Sequence, residues 1–381
     1  MAGTGTVVAM DPISVDELRA RRGTVATDLA ARGLAGALLS DPANVRYLTG
    51  LALEQPWHSR TRPTACLIDA GGAVVVIASE AVELDDPPVD QVVRYTRPDE
   101  AAGAVGAAIA TAGLAGEPLG AELGDEHRIG MALDEMRAIE AAHARPFGDA
   151  GPSLWAARLI KSAAELDRLR AASAVGDRVF ARLFAGEIRA GQTELGIARR
   201  TRQLMMEEGA DEPGWVMITS GSGSYHRLLA TPRDRRVAAG EMVWLDIACR
   251  IDGYWSDHSR AGVLGGPSAE QVAEQDRVAD TTRKGVEAVR PGARMAEVAL
   301  AGTLHGEASP GRVGHGIGLA TTEPPDVIAT SDLLLQPGMV FTVEPLATRN
   351  HGIYQAETVV AVTADGYEQL TNAPTSLSPL G

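Results

Sequence analysis

Cysteine is scarce in this chain. Its 381 residues include only Cys66 and Cys249, and the two share no motif. Two isolated cysteines exclude a fold built on disulfides and are typical of proteins from a reducing cytoplasm. We therefore expect both thiols to be buried structural groups, and we predict a cytoplasmic protein.

Basic residues and long apolar runs are also scarce in the sequence. Lys and Arg number 35 against 50 Asp and Glu, which leaves a formal net charge of −15. Such a surface repels phosphate, so we expect neither nucleic acid nor an anionic membrane as partner. The apolar stretch at 73–79 is far too short to span a bilayer. The first residues lack a cationic start and an apolar core, so we expect no signal peptide.

The length and the order of patterns predict two domains. A chain of 381 residues exceeds what a single core usually accommodates. Strand patterns alternate with Ala-rich helix patterns up to Pro146–Pro152, a break rich in proline and glycine. We place a linker at this break, with one domain over 1–152 and a second over 153–381.

Local signals predict several individual elements. Capping residues and apolar periodicity favour helices, and alternating apolar runs around a glycine turn favour a hairpin. The predicted helices are 12–34, 162–184, 193–208 and 268–289. The predicted strands are 35–40 and a hairpin of 66–69 with 73–78.

The second domain contains four carboxylates and one imidazole, each within a short segment of recognisable sequence pattern. They are Asp246, Asp257, His315, Glu344 and Glu357. A hard, oxygen-rich set of this kind suits a pair of divalent ions that share bridging carboxylates. Taken singly, a strand aspartate is usually solvated and a Gly-His-Gly triplet is a weak signal. The ordered combination is much rarer by chance, so we predict that the five bind metal.

The spacing of Asp246 and Asp257 predicts how the two side chains lie relative to each other. If Arg250–Gly253 is a four-residue hairpin loop, Cys249 faces Tyr254 and Asp246 lies directly opposite Asp257. Opposed residues have Cβ atoms about 5 Å apart. Two carboxylates that close repel unless a cation or a proton lies between them. The hairpin therefore predicts a metal or a shared proton.

The two glutamates repeat this arrangement. A hairpin centred on Asn350-His351 pairs Glu344 directly with Glu357. Two carboxylate-bearing hairpins in one domain indicate an internal pseudo-twofold arrangement. The glycines on both sides of His315 let the backbone approach a ligand closely.

These residues resemble the pita-bread metallopeptidases, which include prolidase, aminopeptidase P, methionine aminopeptidase and the metal-free relative creatinase. Ser40–Gly50 is similar to the creatinase/prolidase N-terminal domain, and Arg158–Ser162 with Glu165 resembles the start of the catalytic domain. The resemblance spans nearly the whole chain. It implies an α+β fold of two domains: a creatinase/prolidase-like N-terminal α/β domain and a C-terminal pita-bread catalytic domain with pseudo-twofold halves.

The resemblance also implies a role for each of the five residues. Asp246 would chelate the first metal, and Asp257 and Glu357 would bridge both metals. His315 and Glu344 would hold the second metal. Glu344 would also take the proton from a water that, as a metal-bridging hydroxide, attacks the substrate carbonyl. We expect manganese, and cobalt, iron or zinc are chemically admissible.

Three departures from the family pattern bear on the reaction. Thr322 stands where the peptidases carry a histidine that binds substrate, and threonine cannot carry positive charge or shuttle a proton at neutral pH. Gln355 stands where prolidases commonly carry arginine. The segment from His226 to Asp246 is longer than usual. His226 is our candidate for the family's upstream catalytic histidine, with a surface histidine as the alternative.

We therefore predict a dinuclear metal-dependent hydrolase that cleaves Xaa-Pro peptide bonds, as prolidase or aminopeptidase P does. Thr322 and Gln355 motivate an alternative, a metal-dependent lyase or small-amide hydrolase similar to dimethylsulfoniopropionate lyase or ectoine-derivative hydrolases. A non-catalytic binding protein is a third reading, which the intact ligand set disfavours. Creatinase-type chemistry is set aside because creatinase's ligand positions have diverged and these have not.

The family further implies a homodimer in which N-terminal residues of one subunit approach the site of the other. Gln55–Arg60 is the candidate for that contact, and an exposed loop is the alternative. Trp57 and His58 within it are candidate substrate-binding residues, together with Thr322. The expected partner is a small peptide or a small amide.

Overall fold

In the computed structural model of this protein, the described residues are 9–52, 62–84, 86–307 and 311–381. They divide into two compact units. The first unit is Asp11–Arg158, and the second is Leu159–Gly381 together with residues 9 and 10. The division falls near the end of the helix Gly151–Leu159.

The first unit combines helices with one six-stranded sheet. Its α-helices are α1 Val15–Ala31, α2 Pro42–Thr49, α3 Ala101–Thr111, α4 Leu133–His143 and α5 Gly151–Leu159, with a short 3-10 helix at Pro98–Glu100. Its strands are β1 Gly36–Leu39, β2 Ala65–Asp69, β3 Val74–Ser79, β4 Gln91–Tyr95, β5 Leu119–Ala121 and β6 Gly148–Asp149. The strand order is β4-β3-β2-β1-β5-β6, and β2 runs antiparallel to both of its neighbours.

Local chemistry explains where these elements begin and end. Ser14 caps α1 by accepting the N–H of Glu17 at its hydroxyl, and Asp41 caps α2 ahead of Pro42. Helix α2 ends at Gly50, whose φ of 74° favours glycine. The predicted first helix, first strand and hairpin are confirmed, with ends that differ by a few residues.

The second unit contains four α-helices among its described residues and three sheets. The helices are α6 Ala163–Arg182, which continues as a π-helical turn at Leu183–Glu187, α7 Glu194–Glu207, α8 Ala269–Glu287 and α9 Met295–Ala301. The first sheet has the order β18-β10-β8-β7, with β9 on β8. Its strands are β7 Glu212–Ser220, β8 Met242–Ile251, β9 Tyr254–Trp255, β10 His258–Leu264 and β18 Ser378–Leu380.

The second sheet has the order β12-β11-β13-β16-β17, and β14 pairs with β15 as a separate hairpin. The strands are β11 His315–Gly316, β12 Glu323–Asp326, β13 Val340–Val343, β14 Leu346–Arg349, β15 Gly352–Gln355, β16 Thr358–Val362 and β17 Tyr367–Gln369. A pair of helices followed by antiparallel strands thus occurs twice along the chain, as pseudo-twofold halves require.

Each half buries its own apolar core. In the first half, Val175, Phe180 and Leu245 belong to the core between α6, α7 and the first sheet. In the second half, Val298 and Phe341 belong to the core between α8, α9 and the second sheet. Serine capping boxes open α6 and α8. These two cores support the sheets that carry the polar residues described next.

Candidate metal centre

The first two carboxylates come from one antiparallel sheet. Asp246 lies in β8, and Asp257 lies between β9 and β10. Asp252 and Gly253 have φ values of 46° and 84°, as a two-residue hairpin turn requires. Such a turn pairs Ile251 with Tyr254, so the four-residue loop predicted from the sequence is wrong.

The shorter turn moves the register by two residues. Asp246 therefore faces Ser259, not Asp257 as predicted. Because side chains alternate between the faces of a strand, a shift of two leaves Asp257 on the same face as Asp246, as a diagonal neighbour. The two carboxylates are thus close together as predicted, but as diagonal neighbours and not as a directly opposed pair.

The two glutamates lie at matching positions of the second sheet. Glu344 follows β13 and Glu357 precedes β16. The strand pairs on either side of them, β13 with β16 and β14 with β15, keep one register. This is the register of a hairpin centred on Asn350-His351, so that prediction is confirmed and Glu344 stands opposite Glu357.

His315 is held in one orientation by its own backbone and by Thr342. Its Nδ1 donates to the carbonyl of Gly316 at 2.9 Å, and its N–H donates to Thr342 Oγ1 at 3.0 Å. Gly314 permits this close approach, because a Cβ there would lie 1.9 Å from the carbonyl oxygen of Thr342. With Nδ1 protonated, Nε2 is left as the free lone pair, the form that binds metal.

The imidazole nitrogen points at carboxylates from both sheets. His315 Nε2 lies 3.6 Å from Asp257 Oδ2 and 3.5 Å from Glu344 Oε1. One ligand atom from each of Asp257, His315 and Glu357 lies within 4.8 Å of the others. Asp246 joins them through its electrostatic interaction with Asp257 and Glu344. We call these five residues the cluster: Asp246, Asp257, His315, Glu344 and Glu357.

Burial and mutual repulsion give the cluster an unusual acid–base state. Loss of hydration, with the charge of Glu344, raises the pKa of Asp246 to about 7. Loss of hydration and the neighbouring carboxylates also raise the pKa of Asp257 and of Glu357 well above their usual range. Four carboxylates packed together at neutral pH need either protons or cations between them.

The residues fit a divalent cation. Glu357 is 1% exposed, and its Oε2 has no hydrogen-bond partner among the described residues. An orphaned carboxylate oxygen in the protein interior is costly unless something positive occupies its lone pairs. Carboxylate oxygens and a neutral imidazole are ligands that Mn, Co, Fe and Zn all accept.

Gln355 and Ser259 support one side of the cluster. The Ser259 hydroxyl donates to Gln355 Oε1 at 2.8 Å, which fixes the amide so that its Nε2 donates to Glu344 Oε2 at 3.4 Å. Thr342 Oγ1 donates to the other carboxylate oxygen, Oε1, also at 3.4 Å. Both oxygens of Glu344 are therefore oriented by neutral donors.

Two supporting residues were missed by sequence reasoning. Arg260 is fully buried and donates to the carbonyls of Glu357 and Ala373, which fixes the start of β16. Trp215 donates from Nε1 to Asp246 Oδ1 at 3.4 Å. No local motif marks either residue, because both contacts join segments distant in sequence.

Thr322 lies, partly exposed, just before β12. The next residue, Glu323, is buried and accepts the N–H of Ala320 at Oε1. Its Oε2 lies 3.2 Å from Lys161 Nζ, and both side chains are almost fully buried. This ion pair anchors the segment that presents Thr322.

The remaining candidates lie apart or outside the described residues. His226 is exposed in the loop after β7 and forms no hydrogen bond or ion pair with the cluster in the described part of the chain. Its catalytic role stays a prediction. Trp57 and His58, with the rest of Gln55–Arg60, lie outside the described residues, so their predicted roles stay predictions too.

Comparison with known families accounts for this arrangement. The profile of "Metallopeptidase family M24" matches residues 167–366, more than half of the chain. The chain belongs to metallopeptidase family M24. The "Creatinase/Prolidase N-terminal domain" profile matches residues 21–160. The family resemblance and the two-domain α+β fold predicted from the sequence are confirmed.

Individual relatives agree with the family match. A probable dipeptidase PepE of Mycobacterium tuberculosis is 30% identical over 95% of this chain and 96% of its own length. The crystal structure of dipeptidase PepE from Mycobacterium ulcerans is 26% identical, with a TM-score of 0.81 over 97% of this chain and 99% of that one. An Xaa-Pro dipeptidase from Bacillus anthracis, 22% identical with a TM-score of 0.81 over 96% of this chain and 100% of that one, shares the fold. None of the helices among the described residues is long and apolar enough to cross a membrane.

Proposed function

We propose that this M24 protein is a dinuclear metallopeptidase that cleaves the Xaa-Pro bond of dipeptides. The convergence of Asp257, Glu344 and Glu357 on His315 carries the proposal. Asp246 adds a fourth carboxylate through its interaction with Asp257 and Glu344. The dipeptidase name of the mycobacterial relatives supports a short substrate. The Xaa-Pro dipeptidase that shares the fold supports a preference for proline.

The proposed ligand set is the cluster. Asp246 would hold one ion, His315 with Glu344 would hold the other, and Asp257 and Glu357 would contribute to both. Manganese is the proposed metal, with cobalt, iron and zinc as chemically equivalent choices for these ligands. Bound ions would supply a water of lowered pKa and would polarise the scissile carbonyl.

Glu344 is the proposed proton acceptor. Its Oε1 accepts from Thr342, whose own oxygen accepts the N–H of His315, and its Oε2 accepts from Gln355. These donors hold the carboxylate in one rotamer, so the proton from the attacking water reaches a fixed acceptor. Glu344 then returns that proton to the departing proline nitrogen.

Substrate contacts complete the proposal. Thr322 offers one hydroxyl donor to the substrate carbonyl, and His226 is the proposed second proton-transfer group. Trp57 and His58 are proposed to contact substrate as part of a cytoplasmic homodimer. A donor that cannot be charged stabilises a developing oxyanion less than an imidazolium does, so turnover should be lower than with histidine at this position.

The direct test is hydrolysis of a panel of Xaa-Pro dipeptides and tripeptides by protein reconstituted with Mn²⁺. Turnover by the wild type and none by Asp257→Asn supports the proposal, and preference for dipeptides supports a dipeptidase. Thr322→His should raise kcat several-fold, with Thr321→Ser as control. A wild type that binds Mn²⁺ but cleaves no member of the panel contradicts the peptidase assignment.

A second function is favoured by two neutral residues at the site. Thr322 and Gln355 replace groups that the peptidases use with a charge or a transferable proton. Elimination by a lyase forms no tetrahedral oxyanion, so it does not need a charged donor at the carbonyl. Hydrolysis of a small amide is the other reaction that the same scaffold could support. Conversion of small zwitterions or amides by Mn²⁺-loaded protein, without Xaa-Pro cleavage, would support it.

A further inference from the structure

Two of the chain's five tryptophans lie together beside the cluster. Aromatic residues make up only 4% of the sequence, yet Trp215 and Trp255 stack with ring centroids 5.6 Å apart and planes inclined by 28°. The Nε1 of Trp215 donates to Asp246 Oδ1. Core packing alone does not explain why this stack places a hydrogen-bond donor against a candidate metal ligand.

An irregularity in β7 brings Trp215 into this position. Met217 faces Asp246 across the sheet, but the register shifts between Pro213 and Val216, so β7 holds one more residue than β8 at this point. Such bulges commonly re-aim a side chain beside an active site. Here the extra residue accompanies an indole N–H directed at a carboxylate.

Packing against neighbouring side chains also holds the Trp215 indole in place. Trp255 packs against Trp215, and the Arg250 guanidinium lies 4.9 Å from the Trp255 ring. The backbone N–H of Trp255 donates to the carbonyl of Gly318. Gly214 makes room for this packing, because a Cβ there would lie 2.6 Å from Trp255 Cζ3. The stack therefore ties the Asp246 strand to the segment that follows His315.

We propose that Trp215 is a positioning residue that fixes the carboxylate of Asp246 for metal binding. This inference rests on the proposed function, in which Asp246 is a metal ligand. The indole N–H orients the carboxylate through Oδ1, and the remaining lone pairs of the carboxylate would be available to an ion. An indole is a donor only and carries no charge, so it orients the carboxylate without competing with the cation.

The test measures metal binding rather than activity. Mn²⁺ is titrated calorimetrically into the full-length, metal-free wild type, Trp215→Phe and the control Trp155→Phe. Trp155 lies in the first unit, where it stacks on His127. Trp215→Phe keeps an aromatic ring but removes the donor, and loss of such a partner typically lowers metal affinity about 10- to 100-fold. We expect that loss for one of two bound ions, and none in the control.

The outcomes separate this inference from the proposed function. Equal affinities of Trp215→Phe and wild type overturn the role of Trp215 while leaving the metal site intact. A wild type that binds no divalent ion overturns both. Reduced affinity in Trp215→Phe with the same thermal stability as the metal-free wild type supports the positioning role.

A spectroscopic measurement on the wild type gives an independent answer, should Trp215→Phe fail to fold. Each tryptophan indole N–H gives one cross-peak in a ¹⁵N-resolved NMR spectrum. Addition of diamagnetic Zn²⁺ should shift the Trp215 peak and leave the Trp155 peak in place. A Trp215 peak that stays unmoved while Zn²⁺ binds contradicts the proposal.

Discussion

The Nε2 atom of His315 lies between two carboxylates, 3.6 Å from Asp257 Oδ2 and 3.5 Å from Glu344 Oε1. These carboxylates belong to different sheets, so one imidazole joins the two halves of the second unit. The hydrogen bond from Nδ1 to Gly316 fixes which nitrogen faces them. In the metal-free protein, His315 therefore lies among four acidic groups that repel one another.

Removal of one buried acid should therefore stabilise the metal-free protein. Asp257→Asn replaces an acid whose ionised form is disfavoured by burial and by Asp246 and Glu344. At a pH high enough to ionise these acids, a gain of about 1 kcal/mol raises Tm by roughly 2–4 °C for a unit of this size. The same variant should lose the rise in Tm that Mn²⁺ gives the wild type. Thermal unfolding with EDTA and with Mn²⁺ measures both effects. Asp365→Asn, in an exposed turn, is the control and should change neither.

Metal binding should depend steeply on pH. The raised pKa of Asp246, about 7, means that the metal-free fold holds protons that an ion must displace. Affinity for Mn²⁺ should fall from pH 8 to pH 6, and each binding event should release more protons at pH 6. Calorimetry in two buffers of different ionisation enthalpy counts those protons. Equal affinity at both pH values would contradict the raised pKa.

The same pKa shift predicts the sign of a stability change. Between an unfolded pKa near 4 and a folded pKa of about 7, the native state binds more protons than the unfolded chain. The contribution of Asp246 to stability is thus complete at low pH and lost as pH rises through 7. Relative to wild type, metal-free Asp246→Asn should gain stability from pH 5.5 to pH 8, as chemical denaturation would record.

The buried pair of Lys161 and Glu323 should be sensitive to loss of one partner. Lys161→Met leaves a buried carboxylate without its cation, which costs roughly 3–5 kcal/mol in comparable pairs. The double variant Lys161→Met with Glu323→Leu should recover most of that loss, because no unpaired charge remains. Urea denaturation measures both. Lys284→Met, which breaks an exposed pair with Asp280, should cost about 1 kcal/mol or less.

A buried glutamate in the first unit supports a further prediction. Glu122 accepts from the N–H groups of Ser40 and Asp41 and from the amide of Asn44. Arg158 donates to Oδ1 of the Asn44 side chain and so fixes the orientation of that amide group. Glu122→Gln would set an NH₂ group against a fixed donor, at a cost of about 1–3 kcal/mol in unfolding free energy.

That cost should be larger in acid. Burial raises the pKa of Glu122 to about 7, so its favourable contribution is complete below an unfolded pKa near 4 and lost as pH rises through 7. Glutamine has no such dependence. The difference between wild type and Glu122→Gln should thus be greater at pH 5.5 than at pH 8. Glu117→Gln, at an exposed position, should show no difference at either pH.

The sequence and the structure agree most closely where local chemistry decides the outcome. Caps at Ser162 and Ser268 locate two helices, and the spacing of Glu344 and Glu357 predicts their register. The four-residue loop predicted between Asp246 and Asp257 is wrong, although this segment holds the strongest turn signal, Asp252-Gly253. Counting outward from that dipeptide would have produced the observed pairing.

What the sequence could not supply are contacts made between distant segments. Trp215 reaches Asp246 because β7 carries an extra residue, and a bulge leaves no pattern in a single sequence. Arg260 meets Ala373 only once the first sheet and the segment before β18 have come together. Both depend on tertiary packing rather than on periodicity.

The pairing of Ile251 with Tyr254 next to the turn fixes the face on which Asp257 lies. A slip of one residue in this pairing would turn every following side chain of the partner strand to the other face and remove Asp257 from the cluster. A turn of another length can close the same pairing. Among proteins that keep this site, the pairing should therefore vary less than the length of the turn.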